Sequence, residues 1–113
     1  MDDRYEVRIT RHAEASMREI AHYIAYDLLA PDAAVNLLTA FQQAVDKLDH
    51  TPHRVHLTPE EPWHSAGVRR LAVRGFYVYF WVDEEHRRVQ VIDVIYMKRD
   101  QLRQLMDMPL DEE

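Results

Sequence analysis

Tyr5-Glu6-Val7-Arg8-Ile9-Thr10 alternates apolar and polar residues, the period of a half-covered strand. At Arg11 the period lengthens. Ala13, Met17, Ile20, Ile24 and Leu28 recur at spacings of three and four, the stripe of an amphipathic helix, and Thr10 stands where its N-cap belongs. Leu29-Ala30-Pro31-Asp32 interrupts this helix and opens a second, with Pro31 in the first turn and Asp32 placed favourably for the helix dipole. Ala34, Leu38, Phe41, Val45 and Leu48, widened by Leu37 and Ala44, form the second stripe. A link this short predicts an antiparallel helical hairpin.

Residues 50–67 contain three prolines and four histidines and lose all periodicity, which predicts a long loop. Three strand-like runs follow. Val68 to Val73 is the first, and Arg74-Gly75 is a tight turn. Phe76 to Val82 puts Phe76, Val78, Phe80 and Val82 on one face and Tyr77, Tyr79 and Trp81 on the other. After a charged turn at Asp83 to Arg88, Val89 to Met97 is almost continuously apolar, as a central strand covered on both sides should be. Asp100 to Met108 has the pattern of a short final helix, with Leu102, Leu105 and Met106 on one side. The order predicts an α+β fold: an N-terminal strand, an antiparallel two-helix hairpin, a three-stranded antiparallel meander completing one sheet, and a short C-terminal helix.

Composition narrows the class. A chain of 113 residues is one domain, with 47% apolar residues, two glycines and five prolines, so disordered and collagenous classes are excluded. The absence of cysteine removes disulfides, thiolate metal sites and a cysteine nucleophile. No apolar run approaches the roughly 20 residues of a membrane span, and Met1-Asp2-Asp3 lacks the order of a signal peptide, so the chain reads as cytoplasmic, with no membrane partner.

The net charge of −6 is unevenly spread. Residues 1–4 and 107–113 are read as acidic, mobile ends of the single domain 1–113, and residues 4–106 carry 14 bases against 14 acids. Residues 68–103 carry eight bases against five acids. Twelve of the fourteen bases are arginine, suited to bidentate carboxylate or phosphate contacts. So small a positive field argues against sequence-independent binding of long duplex DNA.

Candidate chemistry is sparse. His50, His53 and His56 are spaced by three, but Pro52 prevents one helix from presenting them in a row, and no zinc template or H-E-x-x-H pattern exists. No metal site or cofactor is therefore assigned. Ser16 and Ser65 sit on no nucleophile elbow, and Gly67 and Gly75 alone make no phosphate loop. Arg69 shares its phase with Leu71 and Val73, which fits either pairing with a carboxylate such as Asp93 or a helix acid, or a direct contact with a target. Arg70 projects the other way, toward solvent or a target. The Tyr77-Tyr79-Trp81 face reads as a second core layer under a helix, as an amphipathic surface for a partner, or as a base-stacking platform.

Four features taken in order resemble the RelE/ParE superfamily of bacterial type II toxins, over about residues 5–103. They are Ile9-Thr10-Arg11-His12-Ala13, Leu48-Asp49-His50-Thr51-Pro52, Gly67-Val68-Arg69-Arg70-Leu71-Ala72-Val73 leading into Gly75-Phe76-Tyr77-Val78-Tyr79-Phe80, and Ile95-Tyr96-Met97-Lys98-Arg99-Asp100. The resemblance implies one of two activities. RelE-type members cut messenger RNA on the ribosome, and here that chemistry would fall to Arg69, Arg70, Lys98 and Arg99, with Tyr77 or Tyr96 as acid–base groups. Their usual arginine after the aromatic that opens the third strand is Tyr77 here, and residues 75–86 contain no arginine. ParE-type members inhibit DNA gyrase and share the Arg69-x-Leu71-x-Val73 strand and a tyrosine-rich third strand, so the sequence sits closer to ParE. A folded but inert remnant is the third reading.

The ParE resemblance implies target contacts through Arg69, Arg70, Arg74, Arg99 and Arg103. It also implies a cognate antitoxin, an acidic amphipathic segment covering Tyr77, Tyr79, Trp81, Leu102 and Met106. A homodimer or a toxin–antitoxin hetero-oligomer through the same apolar surface is compatible with this.

Overall fold

The computed structural model describes residues 4–98. The expected C-terminal helix, with Arg99, Leu102, Arg103 and Met106, and the acidic residues at both ends fall outside them. Strand β1 (Glu6–Ile9) leads into helix α1 (Arg11–His22), a π-helical turn (Tyr23–Asp27) and helix α2 (Pro31–Asp46). Strands β2 (Arg69–Val73), β3 (Phe76–Asp83) and β4 (Arg88–Tyr96) complete one sheet of order β1-β4-β3-β2. β2, β3 and β4 form the antiparallel meander, and β1 pairs parallel to β4 from Glu6 opposite Arg88 to Ile9 opposite Val91.

The local causes are those the side chains dictate. The Thr10 hydroxyl accepts a 3.1 Å bond from the Ala13 amide and caps α1, while Pro31 opens α2 where no amide donor is needed. Arg74 and Gly75 both adopt positive φ (47° and 86°), the conformation a two-residue hairpin turn requires. Between the helices and the sheet, Met17, Phe41 and Val45 pack on Val78, Phe80 and Val91, with Phe41 edge-on to Phe76 at 5.5 Å. Leu37, not Leu38, is the buried leucine of α2.

The opposite face carries a second core. Tyr79, Ile92, Ile95 and Val68 are buried there against Trp63, flanked by Tyr77 and Trp81. Among the described residues its cover is not a helix. Residues 50–67 form no α-helix, only a short 3-10 turn at Pro52–Arg54, and this segment folds onto the edge of β2. The Thr58 amide bonds to Val68 O (2.8 Å), the Val68 amide to Trp63 O (3.0 Å) and the Arg70 amide to His56 O (3.2 Å). Tyr79 is fully buried and so cannot be the antitoxin contact expected of it; the two-layer reading of this face is the one realised.

Because Tyr79 pairs with Asp93 while Phe80 pairs with Val91, Ile92 is an extra residue in β4. The bulge sends Ile92 into the second core and turns the Asp93 carboxylate to α1.

Two outcomes follow from the second core. Trp63→Ala removes its cover and is expected to cost about 3–5 kcal/mol in urea denaturation, against about 0.5 kcal/mol for a surface residue. Burial pushes the Tyr79 phenol up to about 12, with a hydrogen bond from Arg70 opposing. The unfolded chain ionises this phenol near 10, so its contribution is full below that pH and is lost as pH rises toward 12. Absorbance titration should show one phenol ionising with alkaline unfolding, and Tyr79→Phe should remove it. A Tyr79 that titrates with the exposed phenols would contradict the burial.

Candidate functional site

The sequence-predicted cations are not gathered into one site. Arg69 meets no carboxylate among the described residues: its Nη1 donates to the carbonyls of Val55 (2.6 Å) and His53 (3.1 Å), holding the turn that follows α2. Asp93, the partner expected for it, lies elsewhere. Arg70 is half-buried rather than solvated, 3.6 Å from Glu60, with its guanidinium 4.2 Å from the centre of the Tyr77 ring. It also bonds the Tyr79 phenol, which joins the cover to the sheet. Arg74, at the β2–β3 turn, and Lys98, after β4, are exposed. No described cation faces an open sheet surface at Tyr79, so a base-stacking platform does not form there.

Asp93 is the one carboxylate buried within the sheet among the described residues. Ser16 donates to its Oδ1 at 2.8 Å, the Val94 amide donates to the same oxygen at 2.7 Å, and His12 Nε2 lies 3.1 Å from Oδ2. Serine and histidine both turn to the carboxylate and not to each other, so the cluster is no nucleophilic relay. Three donors around a buried acid make it a clamp between α1 and β4.

The clamp lies at one side of a groove of about 670 Å³ between α1, the π-helical turn and the ends of β3 and β4. Ile20, Ile24, Phe76 and Tyr96 line it, with Glu19 the other acid at its wall. An exposed apolar surface continues from it around the helical elbow: Tyr26 is 67% exposed, Leu28 56% and Leu29 82%. Its cause is the extra residue of the π turn, where the Leu28 amide bonds to Tyr23 O at 3.1 Å. That turn takes Leu28 off the core stripe on which the spacing placed it. Leu29 then closes the elbow at φ 52°, a conformation costing a non-glycine residue about 1–2 kcal/mol. Sequence reasoning missed this surface, although two adjacent leucines before a proline exceed what one buried stripe can absorb.

Among the described residues no helix is long and apolar enough to cross a membrane. No curated protein matches the sequence significantly. The solved "Chromosomal ParDE TA system from P. aeruginosa" is similar in structure, with a TM-score of 0.67 and 22% identity, covering 85% of this chain and 99% of that one. The toxin-antitoxin complex RelBE2 from Mycobacterium tuberculosis is similar with a TM-score of 0.57 and 19% identity, covering 82% and 98%. These likenesses establish the fold. The family described as "ParE toxin of type II toxin-antitoxin system, parDE" matches residues 7–101. With a family match over nearly the whole chain and the sheet and helical hairpin in place, the chain belongs to the ParE toxin family of type II toxin–antitoxin systems.

Proposed function

We propose that this chain arrests bacterial growth by binding a large target enzyme, DNA gyrase, and is neutralised by an antitoxin that covers its helical elbow. The observation that carries the first half is the closed second face of the sheet. An RNA-cleaving site on that face needs several cations free to hold a phosphate and its transition state. Here Arg69 is spent on backbone carbonyls, Arg70 is engaged by Glu60 and the tyrosines, and Tyr77 replaces the remaining arginine. Target contact then falls to cations outside this face, of which Arg74 is exposed and Arg99 and Arg103 lie beyond the described residues.

The second half rests on the apolar elbow. Both solved relatives are described as toxin–antitoxin systems or complexes, and a surface of Tyr23, Tyr26, Leu28 and Leu29 beside a groove suits the apolar face of an amphipathic segment. This moves the antitoxin contact from the Tyr77-Tyr79-Trp81 face to the opposite side of the sheet.

Induced expression in bacteria tests the target. Filamentation with DNA damage is expected; rapid loss of translation with cleaved transcripts would instead support the ribosomal endoribonuclease, and normal growth an inert remnant.

Tyr26→Asp combined with Leu29→Asp tests the antitoxin surface. Both side chains are exposed, and aspartate tolerates positive φ, so stability should change by no more than about 0.5 kcal/mol. Toxicity should persist while antitoxin affinity falls by roughly 100-fold or more, given about 1.5–3 kcal/mol for each buried apolar side chain. Unchanged neutralisation would place the antitoxin elsewhere.

A further inference from the structure

At the other end of the sheet from the groove, the start of β1, the turn after α2 and the β3–β4 hairpin enclose a depression of about 450 Å³. Tyr5, Thr51, His53, Arg54 and Arg87 line it. The side chains are mainly donors. Tyr5 Oη donates to Glu84 Oε1 at 2.6 Å, His53 Nε2 lies 2.6 Å from the same oxygen, and Arg87 Nη1 donates to Tyr5 Oη at 3.1 Å. The Arg87 guanidinium also stacks 4.1 Å above the Tyr5 ring and stands 3.6 Å from Glu84 Oε2. The Arg54 guanidinium lines the same depression, is exposed and has no partner among the described residues.

The backbone here is shaped at a cost. Thr51 (φ 45°) and Arg87 (φ 51°) are two of the four non-glycine residues with positive φ among the described residues, and Thr51 is β-branched. Strain of this kind gathers where a structure holds side chains for a purpose. Arg69 fixes the same turn through the carbonyls of His53 and Val55. The result is a preset arrangement of a phenol, an imidazole and one guanidinium group around the Glu84 carboxylate, with Arg54 lining the same depression.

We propose that this depression is a binding site for a phosphate group, whose place in the free protein is held by the Glu84 carboxylate. A carboxylate has two oxygens and leaves Arg54 unmatched. A tetrahedral phosphate offers more acceptors and more charge for the same donors. Glu84 sits on an exposed turn, and exposed ion pairs are weak, so exchange is cheap. Hydrogen bonds from Tyr5 and then His53 hold the Glu84 carboxyl below the usual carboxylate range, so it is charged and competing at neutral pH. The depression is open to solvent and leaves room for the rest of a phosphoester, either a small one or a link in a nucleic-acid backbone.

Titration of the isotopically labelled full chain with inorganic phosphate, at constant ionic strength against chloride, tests this by NMR. Saturable shifts are expected at the His53 and Tyr5 rings. Arg54→Gln, at a side chain with no hydrogen bond or ion pair among the described residues, should weaken binding at least fivefold with the remaining amide spectrum unmoved. Glu84→Gln should tighten it several-fold. Shifts that never saturate, an unaffected Arg54→Gln, or weaker binding in Glu84→Gln would each overturn the proposal. A ten-nucleotide single strand separates the sources. Binding through the same two rings at least tenfold tighter than inorganic phosphate supports a nucleic-acid backbone, and binding no tighter supports a small phosphoester.

Discussion

The structure depends on β4 being buried on both faces. It pairs with β1 on one side and β3 on the other, and from Val89 to Ile95 the two exceptions to apolar burial are the half-covered Gln90 and the buried Asp93. A strand in that position needs two covers, since an apolar sheet face left open to water forfeits about 25 cal/mol for each Å² not buried. The helical hairpin supplies one. Residues 56–67, with Trp63, supply the other. The bulge at Ile92 lets the strand serve both layers and sets the carboxylate of Asp93 against His12 and Ser16 of α1.

Those covers decide what the surface can do. Fastening the second cover engages Arg69 with the turn after α2 and Arg70 with Glu60 and Tyr77, so cations that read as target contacts in the sequence serve the fold. The first cover leaves its own excess at the elbow, where the π-helical turn and the residues after it leave leucines and tyrosines exposed. The partner surfaces proposed above accordingly lie at the ends of the elements rather than on the sheet face.

Much of the fold was legible because it follows from short-range rules. Thr10 caps, Pro31 opens a helix, Arg74-Gly75 turns, and the alternation from Phe76 to Val82 splits between two layers as a strand must. What was not legible depends on long-range contact. Nothing local to Trp63 says that it will cross to Tyr79, and a segment rich in proline looks the same whether it folds back or hangs free. Arg69 has the phase of a core-facing residue, yet only the path of residues 53–55 determines that it meets carbonyls and not Asp93. The single inserted residue of the π turn left the three-and-four spacing through Ile24 intact and misplaced only Leu28. The candidate site was correspondingly harder to read than the scaffold, since it is built from exactly those departures.

The central claim is that a toxin with its sheet closed on both faces acts by binding gyrase rather than by cutting RNA. Purified protein added to gyrase, relaxed plasmid and ATP, in parallel with translating ribosomes carrying a labelled message, measures this directly. The account predicts loss of supercoiling as the protein approaches the gyrase concentration, with the message intact. Full supercoiling beside a message cut on the ribosome would contradict it.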